Sequence, residues 1–486
     1  MIPAIFLELC VVCLGLFLLM EDAFQKKLDK RALAWGGIIG LGVIFGLTFF
    51  LQPDAMDSST FYRNSGFYLN DPPALFFKRF ALVATILTLV LALEYAPVVE
   101  RFIPGSKPGA GLGEFFILPV FTCAGLMWMA SAADFVMIFC ALELVTISFY
   151  IQVAYMRRNM ASLEAGTKYL ILGALSTGFL VYGITWIFGI TGQTNLRGIS
   201  IALGMVPEIS QTALLFGIGL VLVALGFKVA AAPFQFWVPD VYQGAPTPVT
   251  AFLSVGSKAA GFVVLMRVLE PFLVVPAIEA KVVTALVFLA GLTLLYGNLA
   301  AMPQTNLKRL LGYSSIAHAG YLLIGVASVG SPDAGKAVVF YLLGYLLMTF
   351  LAFLVLIPVA KAAGGDDISH FNGLGRRAPG LALAMLISML SLAGLPFTVG
   401  FLGKFFIFEV AMQQRQFVLV ALGVITVACG FYYYLKVVRA MYWQPAPEDA
   451  APVVASPLAR FTMAFLAAAI LILGIYPRWI LQILPY

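Results

Sequence analysis

The chain has 486 residues, of which 62% are hydrophobic and only 11% carry charge. A water-soluble domain of this size needs far more polar surface than that, so a soluble enzyme or binding module is excluded. The formal net charge of +6 does not signal a nucleic-acid ligand, because the basic residues are scattered through short loops and do not gather on one face.

Apolar stretches of about 20 residues, the length an α-helix needs to cross hydrocarbon, recur along the whole chain. The first, 2–20, has no basic segment ahead of it and no small-residue cleavage site behind it. It therefore reads as a transmembrane helix and not as a signal peptide. Its Cys10 and Cys13 form a C-x-x-C with no second pair nearby, which reads as two small residues one turn apart; no disulfide is expected. Further spans follow at 32–51, 74–94, 115–131, 134–155, 164–189, 212–238, 246–269, 279–302, 308–330, 337–360, 380–412, 417–439 and 460–484. The fold class is thus an all-α polytopic membrane protein of about fourteen helices, with both ends on one side.

Lysine and arginine crowd the odd-numbered loops, among them Lys26, Lys27, Lys30, Arg31, Lys107, Arg157, Arg158, Lys308, Arg309, Arg376 and Arg377. The even-numbered loops hold fewer, including Arg63, Arg267 and the pair Lys78–Arg79 at the edge of span 74–94. The positive-inside rule then places the odd loops in the cytoplasm and both termini outside, on the periplasmic side of a bacterial inner membrane. Four of the 29 basic residues fall in no loop: Lys168, Lys228, Lys258 and Lys404 each lie inside a span.

Spans 212–238 and 380–412 are unusually long, and each is interrupted by a Pro-Phe step, at Pro233 and at Pro396. Proline removes an amide donor and clashes with the preceding turn, so helices seven and twelve should break there. Paired breaks suggest two inverted five-helix repeats. The expected division is 1–110 for the first three helices, 111–270 and 271–440 for the two repeats, and 441–486 for the last helix.

A lysine at the bilayer centre costs about 2.5–3.5 kcal/mol, so four of them plus Glu143 represent roughly 10 kcal/mol or more. Such a cost points to function. Glu143 has no basic residue one turn away on its own helix. Lys168 on the next span is its expected partner, with Glu164, four residues before Lys168, as the local alternative. Lys228 stands one turn before Pro233, where freed carbonyls and water could solvate it, and Lys258 sits among small residues in Ser254-Val-Gly-Ser-Lys-Ala-Ala-Gly261. His318 lies in Ser314-Ser-Ile-Ala-His-Ala-Gly320; Lys404 follows the second break, with Glu409 five residues on. A buried lysine with a movable counter-charge can exchange a proton near neutral pH, and histidine titrates there already. This inventory suits a proton wire with water in its gaps. It does not suit a pocket for an organic substrate, and buried lysines would repel Na⁺. No phosphate-binding glycine loop and no metal-spaced histidine pair is present, and His370 is expected in an exposed loop.

The stretches Lys228-Val-Ala-Ala-Ala-Pro-Phe-Gln-Phe-Trp-Val-Pro-Asp-Val-Tyr242, Asn306-Leu-Lys-Arg-Leu-Leu-Gly-Tyr-Ser-Ser-Ile-Ala-His318 and Leu392-Ala-Gly-Leu-Pro-Phe-Thr-Val-Gly-Phe-Leu-Gly-Lys404 resemble the antiporter-like membrane subunits of respiratory complex I. Lysine at position 404, and an end soon after the last span, make the likeness strongest to the subunit N branch of that family. The resemblance implies Glu143 and Lys168 as an ion pair on helices five and six, and Lys228, Lys258, His318 and Lys404 as a central hydrophilic axis. It implies no cofactor in this chain, with flavin, iron–sulfur clusters and quinone in partner subunits. It also implies other membrane subunits and the lipid bilayer as partners, with neither nucleic acid nor a soluble ligand. Cation/proton antiporter subunits share the pattern and give the alternative reading. Two positions depart from the family: Gln235, often a histidine, cannot protonate, and Ser257, often a proline, should alter the bend of helix eight and offer water a ligand.

Overall fold

Short polar side chains open several of the helices, each accepting from a backbone amide that the first turn leaves free. In a computed structural model, which describes residues 5–24, 30–51, 66–103, 111–204, 211–448 and 450–485, these caps fix where the helices begin. Asp71 accepts from Ala74 N ahead of Pro72 and Pro73, Asp134 from Val136 N, Asn159 from Ala161 N, Asn306 from Arg309 N and Ser456 from Ala459 N. Lys26, Lys27, Arg63 and Lys107, used above to orient the chain, lie outside the described residues.

The first six helices are α1 (Phe6–Phe24), α2 (Lys30–Leu47), α3 (Pro72–Val99), α4 (Leu112–Ser131), α5 (Phe135–Val153) and α6 (Met160–Thr191). The seventh predicted span divides into α7 (Gln211–Val229) and a short α8 (Val238–Gly244). Next comes α9, which starts as Thr247–Phe252, passes through a π-turn at Leu253–Ser257 and continues as Lys258–Leu269. Then follow α10 (Pro276–Ala301), α11 (Leu307–Ala327) and α12 (Ala334–Ala363). The twelfth predicted span divides into α13 (Pro379–Ala393) and α14 (Val399–Gln413), and α15 (Phe417–Trp443) and α16 (Pro457–Ile475) close the bundle.

Among the described residues, twelve helices are long and apolar enough to cross a membrane. Outside those twelve stand α1, which carries the three acids Glu8, Glu21 and Asp22, and the two 15-residue arms α13 and α14. One helix was not expected: Leu196–Leu203, in the loop after α6, buries Leu196, Ile199 and Leu203 on one stripe. No strand occurs among the described residues, only isolated backbone bridges such as Asp134–Asn195 and Asn306–Asp367.

Burial separates an inner set of helices from an outer one. The membrane-length windows of α9, α11 and α12 are 94%, 100% and 94% buried, against 28% for α6 and 33% for α10 and α15. Side chains on the inner three therefore cannot face lipid, whatever their charge. The outer helices cover them: α7 packs on α6 and α9, α10 on α11 and α15, and α12 on α13, α14 and α16.

Candidate functional site

The first break is built by backbone groups that find new partners. After Val229 the chain turns through Ala230, at φ +65°, and Ala231 N returns to Gly226 O at 2.8 Å. Ala232 N donates to Thr293 Oγ1 on α10 at 2.9 Å, and the freed Phe227 carbonyl accepts the Trp237 indole at 3.1 Å. Gly226 is required where the chain folds back, because a Cβ there would lie 2.8 Å from the Phe234 ring. Satisfying every freed group in this way is what lets irregular backbone exist at membrane depth.

Lys228 sits in the last turn of α7, 3% exposed, and donates to Thr146 Oγ1 on α5 at 3.0 Å. The carbonyl solvation expected for it is taken instead by Trp237 and Ala230. Lys258 leaves the π-turn 1% exposed and donates to the Ser315 carbonyl and hydroxyl on α11. Ser315 Oγ lies 3.0 Å from Tyr242 OH on α8, and Ser254 Oγ in the π-turn lies 3.0 Å from Tyr345 OH on α12. Ser257 is part of that π-turn, the kind of local widening that often marks functional sites.

His318 is held between two phenols. Its Nδ1 lies 2.7 Å from Tyr341 OH on α12 and its Nε2 3.1 Å from Tyr434 OH on α15. Tyr434 also bonds Ser314, and the Tyr345 ring lies 4.9 Å from the imidazole. Lys258 bonds Ser315 one turn before His318, and Lys404 lies over the Tyr321 ring close to one turn after it. Lys404 turns back over the second break and donates to the Leu392 and Ala393 carbonyls at 2.8 Å each, 5.1 Å from the Tyr321 ring. An ammonium there neutralises the negative end of α13, so the carbonyl solvation expected at the first break occurs at the second. Its bonds go to these carbonyls and not to Glu409.

The expected pairing of Glu143 with Lys168 is not formed. Lys168 pairs with Glu164 and with Asp240 on α8, at 2.7 Å each, and its side chain is 42% exposed. Asp240 also receives Arg309 on α11 at 2.8 Å. Glu143 accepts instead from Thr177 Oγ1 at 2.7 Å. The reason is the rise of α6: Thr177 lies nine residues beyond Lys168, about 13 Å along the axis, so one carboxylate cannot meet both. Glu143 opens onto a groove of about 620 Å³ between α5 and α6, lined also by Ile147, Tyr150, Leu170 and Thr177. On α5, Thr146, three residues after Glu143, receives Lys228.

Composition and spacing missed the hydroxyl groups that hold these ions. Tyr242, Tyr341, Tyr345 and Tyr434 stand in apolar runs, where a tyrosine looks like any core aromatic; a buried phenol nevertheless demands a partner, and that demand was a usable signal. Also missed were buried cations near the helix ends. Lys308 donates to Ala245 O at 2.7 Å, and Arg267 pairs with Asp71. Lys78, assigned to a loop, pairs with Glu8 at 3.1 Å with both side chains at zero exposure. His370, expected in the open, is half-buried, with Nδ1 2.9 Å from Gly365 O. All five cysteines, Cys10 and Cys13 included, are free.

Residues 132–430 match the transmembrane family described as NADH:quinone oxidoreductase/Mrp antiporter. Over 98% of its length the chain is 41% identical to the NADH-quinone oxidoreductase subunit N of Trichlorobacter lovleyi, covering 94% of that protein. The chain belongs to the subunit N family. Among solved structures it is similar to a chain of respiratory complex I from Thermus thermophilus with bound aureothin, at 31% identity and TM-score 0.80, with 98% of each chain covered. A chain of the Mrp complex from Dietzia sp. superposes with a TM-score of 0.82 at 20% identity, which is a likeness of fold. The sequence motifs of this chain fall on its two breaks and on the inner helices between them.

Proposed function

We propose that this chain carries protons within NADH-quinone oxidoreductase, along an axis formed by Lys228, Lys258, His318 and Lys404 and entered at Glu143. Lys168 belongs to an exposed charge cluster with Glu164, Asp240 and Arg309, and its role is to tune the potential at that end. Pro233 and Pro396 break the helices that present Lys228 and Lys404. The observation that carries the reading is His318. It is 2% exposed, bonded at each ring nitrogen to a phenol, and flanked one turn away on each side by Lys258 on Ser315 and Lys404 over the Tyr321 ring. A proton added to any one of the three disfavours a proton on the others, so occupancy shifts propagate without large motion.

On this reading electron transfer happens elsewhere. Flavin, iron–sulfur clusters and quinone belong to partner subunits, no cofactor sits in this chain, and a charge change beside Glu143 starts the shift. The other membrane subunits and lipid surround the bundle, which lies in the bacterial inner membrane with both termini periplasmic. The fourteen-helix count and the two repeats, 111–270 and 271–440, are part of the proposal. The repeats are supported by matched features: the cap of α5 bridges to Asn195, ahead of the first break, and the cap of α11 to Asp367, ahead of the second. The alternative, a cation/proton antiporter without a redox partner, is favoured by the family description, which includes Mrp antiporters, and by the fold shared with the Mrp chain.

The test is His318→Ala in the assembled complex, reconstituted in vesicles. The expected result is a lower number of protons moved per NADH, with NADH:quinone electron transfer retained. An unchanged ratio overturns the reading. Co-isolation of the chain without flavin and iron–sulfur proteins would favour the antiporter.

A further inference from the structure

Thr177 lines two separate spaces. On its outer side is the groove that holds Glu143. On its inner side is a small cavity of about 10 Å³ lined by Thr146, Ser176 and Lys228 as well as by Thr177 itself. Such a volume is at the lower limit for one water molecule, and a trapped water needs two to four polar partners. The lining supplies four. Lys228 has N–H groups to spare beyond the one given to Thr146, and Ser176 donates to Ala224 O at 3.2 Å, which leaves its oxygen free to accept. Thr177 donates to Glu143, so its own lone pairs are available on the inner side.

We infer that the Thr177 hydroxyl is a proton-relay residue that joins Glu143 to Lys228 through one water, on a route that bypasses Lys168. The inference rests on the proton-carrying reading above. The step balances: the Lys228 ammonium gives a proton to the water, the water passes one to Thr177 Oγ1, and Thr177 gives its original hydroxyl proton to the Glu143 carboxylate. Lys228 and Glu143 end neutral, and the threonine and water are regenerated. The ammonium only donates and the carboxylate only accepts, but the water and the hydroxyl between them do both, which the apolar residues around them cannot do. Lys168 is not a candidate for this step, because its ammonium is committed to Glu164 and Asp240 about 13 Å away along α6.

The test is Thr177→Val, which keeps the shape and removes the hydroxyl, beside Thr177→Ser, which restores it. Both are assayed in the assembled complex in vesicles for protons moved per NADH and for the solvent deuterium isotope effect on that transfer. Retained NADH:quinone activity shows that the complex is intact. The expected result is a loss of about 10²-fold in the rate of proton transfer, the usual contribution of one positioned proton-transfer group. Thr177→Ser should recover it together with the wild-type isotope effect. Two further variants, Glu143→Gln and Lys228→Met, separate the two levels of argument. If both abolish pumping and Thr177→Val leaves it at the wild-type value, the relay is wrong and the axis stands. If all three leave pumping unchanged, the axis itself falls. A Thr177→Val defect that Thr177→Ser does not rescue would also overturn the relay, since it would reflect packing alone.

Discussion

Breaking the ion pair between Glu8 on α1 and Lys78 on α3 should be one of the most destabilising single changes in this protein. The pair is 3.1 Å apart, with neither side chain exposed, and Tyr68 OH bonds both partners, 2.8 Å from Glu8. At that separation and an effective dielectric of about 20, the attraction is roughly 5 kcal/mol. Removing two ions from water costs a similar amount, so the pair as a whole contributes little net stability. Removing one partner is different, because the other stays buried and uncompensated. Lys78→Met or Glu8→Gln alone should each cost about 3–5 kcal/mol, and the double variant much less than their sum.

The assay is thermal unfolding of the detergent-solubilised complex, followed through all four corners of the cycle. The expected signature is two low melting temperatures and a double variant near the wild type. Additive losses would refute the reasoning, because they would mean that each residue packs independently and that the pairing is incidental.

Two more changes test the breaks. Gly226→Ala pushes a methyl to 2.8 Å from the Phe234 ring and should destabilise by about 1–3 kcal/mol, read as a lower melting temperature of the complex. Lys404→Met removes both bonds to the Leu392 and Ala393 carbonyls. It should cost about 1–3 kcal/mol for each carbonyl left unpaired and lower the number of protons moved per NADH, measured as uptake into vesicles; an unchanged melting temperature would show that water replaces the ammonium.

What the chain spells out and what it conceals follow a physical divide. Pro233 and Pro396 are legible because a missing amide has local consequences, and Lys228, Lys258 and Lys404 because charge within twenty apolar residues cannot be incidental. Lys78 was concealed by its place near the start of span 74–94, where a lysine reads as a loop-end charge, although on α3 its side chain is buried. Its partner Glu8 comes from another helix altogether. The Glu143–Lys168 pairing failed for a similar reason. Adjacent helices guarantee contact but not register: Glu164 on α6 and Asp240 on α8 lie at the level of Lys168, while Thr177 further along α6 meets Glu143.

The two breaks also present their lysines to different chemistry. Lys228 precedes its break and bonds a hydroxyl, while Lys258 and His318 likewise meet Ser315, Tyr341 and Tyr434. A hydroxyl both gives and takes a proton, so each of these groups has a neighbour able to pass one on. Lys404 follows its break and bonds two backbone carbonyls, which accept and never donate. Its ammonium is held where a proton can rest against the end of α13 but cannot leave through either of those bonds. The position of each lysine relative to its proline, one residue type on opposite sides of two similar breaks, therefore decides whether its bonded partners can pass a proton on or only accept a hydrogen bond.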